Sequence, residues 1–498
     1  MKKNAKFLIC IILASFFIVS SAAGIELKTK KQTSYLSDLD PLVDVEVTVE
    51  IQKIRAFDKY DQQVHSEEYI DLDSDPDFYI KIIINDQEFK SDIWHDKKYI
   101  YDPQFSATLD VPDDEEFVSV EIQLWDYNSN GDVICDIGNE NDNVELIYNI
   151  KTGHWTGDDQ LEDPSGYGRL NGCDDGSIYK EERDCEIWFH ISQNDFDNDG
   201  MPHWVETQIY DTDPEVANTG EDKDNDGCPI EWEHKWEYDP NIWDDHENLD
   251  PDGDSISNLE EYFTRELGSD PFRKDLFLEI YYMGEGPNGE KSVVPEDTVE
   301  ILKNPFHRHN IVFYLDVGDK YGGEIIPFDN ETNQTEVIDI YNKYFILNDK
   351  DNWRRSVFHY GIFVYLCQPN GYAFRGDGSP FWGYGPGTNS FVIAGKNMER
   401  LSDKTLESLS YIYASSIMHE TGHNLGIRWG HPFGCDARFS YKPWQIGFWV
   451  YFNYKSIMNY IYTYSILDFS DGSHGRRDFD DWANIDLTHF EIPDDSVI

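Results

Sequence analysis

Three segments with the same spacing of carboxylates constrain this chain more than any other feature. "DFDNDGMPHWVE", "DKDNDGCPIEWE" and "DPDGDSISNLEE" begin at Asp195, Asp222 and Asp250, 27 and then 28 residues apart, and each repeat ends in Asp-Pro. In such a loop the side chains at positions 1, 3 and 5 point to a common centre, the carbonyl at position 7 joins them, and a glutamate at position 12 closes a cage suited to Ca2+. The chain supplies Asp195, Asp197, Asp199, Met201 and Glu206, then Asp222, Asp224, Asp226, Cys228 and Glu233, then Asp250, Asp252, Asp254, Ile256 and Glu261. Met201, Cys228 and Ile256 enter only through their main-chain carbonyls. Position 6 is Gly200 and Gly227 but Ser255 in the third loop, so the third site is expected to be the weaker. Like charges repel in such loops without a cation, so residues 191–272 are expected to fold around calcium.

The segments entering these loops are too short for paired EF-hand helices, and the repeats resemble thrombospondin type 3 or dockerin-like loops. They divide a multidomain chain. On their N-terminal side, "VDVEVTVEIQKI", "DFYIKIIIN", "FSATLDV" and "VSVEIQLWDY" alternate apolar and polar residues, which predicts an all-β antiparallel sandwich over residues 24–190. Aspartates cluster between those strands, at 58 and 61, at 73, 75 and 77, and at 126, 132 and 136. The pieces "SDPDFYIKI" and "IQLWDYNSNGDVICDIG" resemble the calcium loops of C2 domains. That resemblance implies calcium-dependent membrane or surface contact through the sandwich; ordinary turn aspartates are the alternative.

Residues 1–23, with lysines at 2, 3 and 6, an apolar run and a small-residue end at Ala23, have the build of a signal peptide. A secreted, extracellular or cell-surface location is therefore expected. Export takes Cys10 away and leaves six cysteines, of which Cys173 and Cys185 are the simplest pair in sequence. The net charge of −57 excludes nucleic acid as a natural partner, because like charges repel.

Residues 273–498 read as an α/β mixture. Their last long helix carries His419-Glu420-Thr421-Gly422-His423. Residues at i and i+4 share a helix face, so the two imidazoles can bind one Zn2+ and Glu420 stands within reach of a water beside it. A catalytic zinc needs a third protein ligand. No glutamate occurs from Asn424 to Phe490, which excludes a downstream glutamate ligand. His431 is the expected third ligand, two residues beyond Trp429, whose indole offers no lone pair. Asp436 is the rival.

With Gly426 after the helix and "SIMNY" at 456–460, this part resembles the metzincin zinc proteases. The resemblance implies that Met458 forms a floor beneath the metal, that Tyr460 assists at the oxyanion, and that an edge strand from the glycine-rich stretch 376–395 receives an extended peptide. It also implies a secreted zinc endopeptidase acting on protein or peptide substrates, with Glu420 as general base. The alternative is a calcium-dependent surface or adhesion protein with an inactive protease-like domain.

Overall fold

Period-two alternation builds the N-terminal part of the computed structural model, which describes residues 45–56, 75–112, 115–139, 141–159, 168–172, 183–316, 325–349, 351–367, 371–373, 389–427 and 432–490. One antiparallel sheet pairs β4 (Tyr99–Asp110), β1 (Glu46–Ala56), β10 (Cys185–Gln193) and β9 (Gly168–Asn171) in that order. The other runs β3 (Gln87–Lys90), β2 (Phe78–Ile84), β5 (Phe117–Asp126), β7 (Val144–Asn149) and β8 (His154–Gly157), with β6 (Val133–Cys135) on β5. Val47, Val49 and Ile51 of β1 and Ile80, Ile82 and Ile84 of β2 are buried. One apolar face per sheet is what a sandwich buries. Trp155 of β8 meets Phe189 of β10, ring centroids 5.9 Å apart, where the sheets face each other. Cys185 has Cys135 as its thiol neighbour; Cys173 lies outside the described residues.

Each carboxylate loop leads into a single short helical segment: Val205–Tyr210, α1 (Ile230–Lys235) and α2 (Asn258–Thr264). No long helix runs directly into a loop among the described residues, as their sequences predict. The apolar core here is small: Cys228, Trp232 and Trp236, with Trp188, Tyr238, Leu259, Tyr262 and Phe272 against them.

The C-terminal part is a mixed five-stranded sheet in the order β12 (Val312–Asp316), β11 (Asp275–Tyr282), β13 (Phe358–Val364), β15 (Ser390–Ala394), β14 (Gly371–Ala373). All neighbours are parallel except β14, the antiparallel edge. Among the described residues the β14 edge precedes the glycine-rich stretch, and residues 390–394 form an inner strand; residues 374–388 lie outside the described residues. One core holds α3 (Thr298–His307), α6 (Gly395–Thr405) and α7 (Leu409–Asn424) to the sheet. A second core contains α4 (Gln334–Ile340) and Val357 of α5 (Arg354–Val357). The last short elements are β16 (Phe433–Asp436) and α8 (Ile446–Val450).

Residues 44–498 make one compact unit, and buried charges join its parts. Glu186 of the sandwich takes Arg55 at 3.0 Å, Arg169 at 2.7 Å and His307 of α3 at 3.3 Å, with Arg55, Arg169 and Glu186 wholly buried. Asn171 donates to the carbonyl of His307, and Arg273 meets Asp159 at 2.8 Å. The third loop is tied to the C-terminal sheet directly: the main-chain N–H of Asp275, first residue of β11, donates to Asp254 Oδ2 at 2.7 Å.

Candidate metal centres

The three acidic loops share one hydrogen-bond scheme. The carboxylate at position 1 accepts two main-chain N–H groups: Asn198 and Gly200 at Asp195, Asn225 and Gly227 at Asp222, Gly253 and Ser255 at Asp250. The carboxylates at positions 3 and 5 accept from the residue two further on, as Asp197 does from Asp199 and Asp199 from Met201. Ser255 adopts φ +75° where the other loops use glycine at +92° and +107°, so the third loop closes in the same way at a steric cost. The scheme leaves carboxylate oxygens over in every repeat. Asp197 Oδ2, Asp224 Oδ2 and Asp252 Oδ2 at position 3, with Glu206 Oε2 and both oxygens of Glu233 and Glu261 at position 12, are buried and accept no hydrogen bond. Buried oxygens without donors are costly, and a calcium ion in each loop would satisfy those of that loop together. The residues fit the ion.

Burial and the neighbouring carboxylates push Glu206 up to about 8, Glu233 to about 7, Asp252 to about 9 and Asp254 to about 7. In the metal-free folded chain these groups hold protons that the unfolded chain releases near pH 4. Stability contributed by those protons is present below pH 4 and lost as pH rises toward 7–9. With a calcium-selective chelator, the calorimetric melting temperature is therefore expected to be higher at pH 5 than at pH 8, and added calcium should reduce the difference. A chelated protein equally stable at both pH values contradicts the assignment.

The second centre stands at the end of α7. Its last turn closes with two bonds, Gly426 N–H to His423 O and Ile427 N–H to Gly422 O, around Gly426 at φ +96°. This is a Schellman cap, and it ends the helix. His419 Nδ1 lies 2.9 Å from the carbonyl of Ile457, and His423 Nδ1 lies 2.6 Å from that of Ile427. A carbonyl only accepts, so each Nδ1 carries the hydrogen and each Nε2 is left for a ligand, the usual outer-sphere arrangement of metal-binding histidines. Both Nε2 atoms converge on one carboxylate: His419 to Asp436 Oδ1 at 3.1 Å and His423 to Asp436 Oδ2 at 3.1 Å. Asp436 Oδ1 is buried and receives no aligned hydrogen bond despite that distance. Two nitrogens and a carboxylate that converge in this way are a donor set for zinc.

Asp436 ends β16 at φ +53°, fixed by its N–H donating to the carbonyl of Met458 at 3.0 Å. Burial alone would discharge the site, but the groups charge one another. Asp436 is held far below the usual carboxylate range by the two imidazoles, and His419 is raised to about 9 by Asp436. Glu420 is buried beside them. The Tyr460 ring stacks on His419, centroids 5.9 Å apart, and burial with Asp436 and Glu420 raises its phenol. His431 and Trp429 lie outside the described residues.

Met458 packs against the helix that carries the two histidines. Its N–H donates to Ser456 Oγ, the Asn459 side chain ties the turn to the carbonyls of Tyr451 and Tyr454, and Met458 itself is fully buried. Gly422 lies against it: a Cβ there would stand 2.6 Å from Met458 Sδ and 2.7 Å from Phe469 Cε1. A glycine inside a helix costs about 1 kcal/mol, and this contact is what requires it. Gly422→Ala is therefore expected to lower stability, by about 1–3 kcal/mol of overpacking less the propensity gained, in denaturant unfolding. A stabilised variant would show that helix and turn are not in contact.

The sandwich aspartates are engaged locally. Asp77 accepts from Asp96 N–H and contacts His95, Asp126 accepts from Asp77 N–H and Asn128, and Asp132 accepts from Tyr79. Asp58, Asp61 and Asp73 lie outside the described residues.

No family model and no curated protein matches the chain. Solved structures similar to it carry C2 domains or phospholipase descriptions. One titled "Structure of a C2 domain" has 10% identity and a TM-score of 0.18, covering 30% of this chain and 98% of that one. The paired C2 domains of extended synaptotagmin 2 give 14% and 0.20, over 39% of this chain and 55% of that one. Human GIVD cytosolic phospholipase A2 gives 13% and 0.18, over 30% of this chain, which spans 15% of that chain's length. Scores this low carry no inference about ligand or activity; the N-terminal β-sandwich stands on its own strand pairing.

Proposed function

We propose that the chain is a calcium-stabilised zinc endopeptidase whose metal is held by His419, His423 and Asp436. The observation that carries this is the convergence of both Nε2 atoms on the two oxygens of one carboxylate, with each Nδ1 already committed to a carbonyl. When bound there, zinc supplies Lewis acidity that polarises a peptide carbonyl and acidifies a water. The Glu420 carboxylate accepts the proton of that water and returns it to the leaving amine. The Tyr460 hydroxyl, kept protonated by its surroundings, donates to the oxygen that gains charge. The edge strand β14 packs beside α7 and offers an extended peptide a partner for strand addition. Asp436 takes the place that the sequence offered first to His431.

Digestion of a mixed peptide library by purified protein tests the proposal. Cleavage is expected to stop with a zinc-selective chelator and to return with zinc while calcium is held constant. No cleavage by a protein shown to contain stoichiometric zinc would favour the inactive surface protein instead. Calcium-dependent surface contact through the sandwich is a separate proposal, tested below by its dependence on the ion.

A further inference from the structure

From Ala437 to Leu467 the chain contains none of its 97 acidic residues, and three cations, Arg438, Lys442 and Lys455, fall in the same stretch. Its first half carries several large apolar side chains left in solvent. Phe439 is 84% exposed, Trp444 81%, Ile446 85% and Trp449 68%, with Phe433 at 78% on the strand that ends in Asp436. These residues sit on an ordered platform. The Trp449 indole donates to the carbonyl of Pro443 at 2.9 Å, Phe452 packs on Phe448 and on Tyr462, and Gly447 lies so close to Ser440 that a Cβ would meet its Oγ at 2.2 Å.

We propose that this face docks on a lipid bilayer surface bearing anionic headgroups, without calcium. Side chains two-thirds or more exposed stand out from the protein, whereas aromatic walls of a peptide cleft are covered by the opposite wall. Indole and phenyl rings beside lysine and arginine are the composition that settles at a membrane interface. Charge selects the same stretch: a chain of net charge −57 is repelled least by an anionic surface where a long run of residues carries three cations and no carboxylate of its own, although Asp478 lies near Tyr462. The inference rests on the exposed platform and not on the zinc site.

Cosedimentation of the full chain with phosphatidylcholine vesicles, with and without phosphatidylglycerol, each in added calcium and in a calcium-selective chelator, tests it. Binding to the phosphatidylglycerol vesicles is expected, with a blue shift of tryptophan emission. Trp444→Ser, Ile446→Ser and Trp449→Ser together should lower the partition coefficient at least about tenfold, and Trp444→Ser with Ile446→Ser, which leaves the Trp449 contacts with Pro443, Phe448 and Phe452 in place, should lower it in the same direction with unfolding temperature unchanged. Arg438→Glu with Lys442→Glu should weaken binding to the anionic vesicles more than to the neutral ones. Three results overturn the proposal: no binding by the parent chain, binding that survives the triple substitution, or binding that appears only with calcium, which assigns the contact to the sandwich.

Discussion

Glu420→Gln is expected to keep its metal and to lose peptide hydrolysis by about 10²–10⁴-fold, the usual worth of a general base. The substitution preserves shape and removes only the group that accepts the proton. Glu420 lies on α7 between the two histidines, with an amide tolerated in volume where the carboxylate now sits, so zinc content should stay stoichiometric while turnover falls. Loss of both zinc and activity would make Glu420 a structural support of the site. Turnover close to that of the parent chain would remove it from the chemistry.

Much of this arrangement is legible in the residues, and the boundary of legibility has a physical cause. Period-two alternation locates β1, β2, β4 and β5, and the apolar runs locate β11, β12, β13 and β15, because burial of one face or both is written locally. The geometry of the acidic loops is legible, since every carboxylate of a loop lies within twelve residues of the first and the same main-chain donors serve each repeat. The helix pair His419 and His423 is legible for the same reason: 3.6-residue periodicity fixes their common face.

Asp436 is less so, because it reaches the site through a bond to Met458, a residue distant in sequence, in a left-handed conformation that an aspartate does not announce. The carbonyls of Ile427 and Ile457 that orient the imidazoles are main-chain groups and leave no trace in side-chain pattern. Gly422 is visible as an anomaly, a helix-interior glycine, and anomalies of this kind point to close approach; its partners Met458 and Phe469 are not visible. The edge strand β14 is not announced by the glycine-rich stretch that follows it, because glycine content reports turn freedom and not strand order.

The zinc content of Asp436→Ala and His431→Ala, measured by metal analysis after dialysis, tests the central claim most directly. Loss of an outer partner of a metal ligand typically costs about 10–100-fold in affinity, and loss of a ligand itself leaves two histidines, an incomplete set. Asp436→Ala should therefore emerge with little zinc and no peptidase activity, and His431→Ala should retain stoichiometric zinc. Stoichiometric zinc in Asp436→Ala together with zinc lost from His431→Ala would contradict the account and return the third ligand to His431.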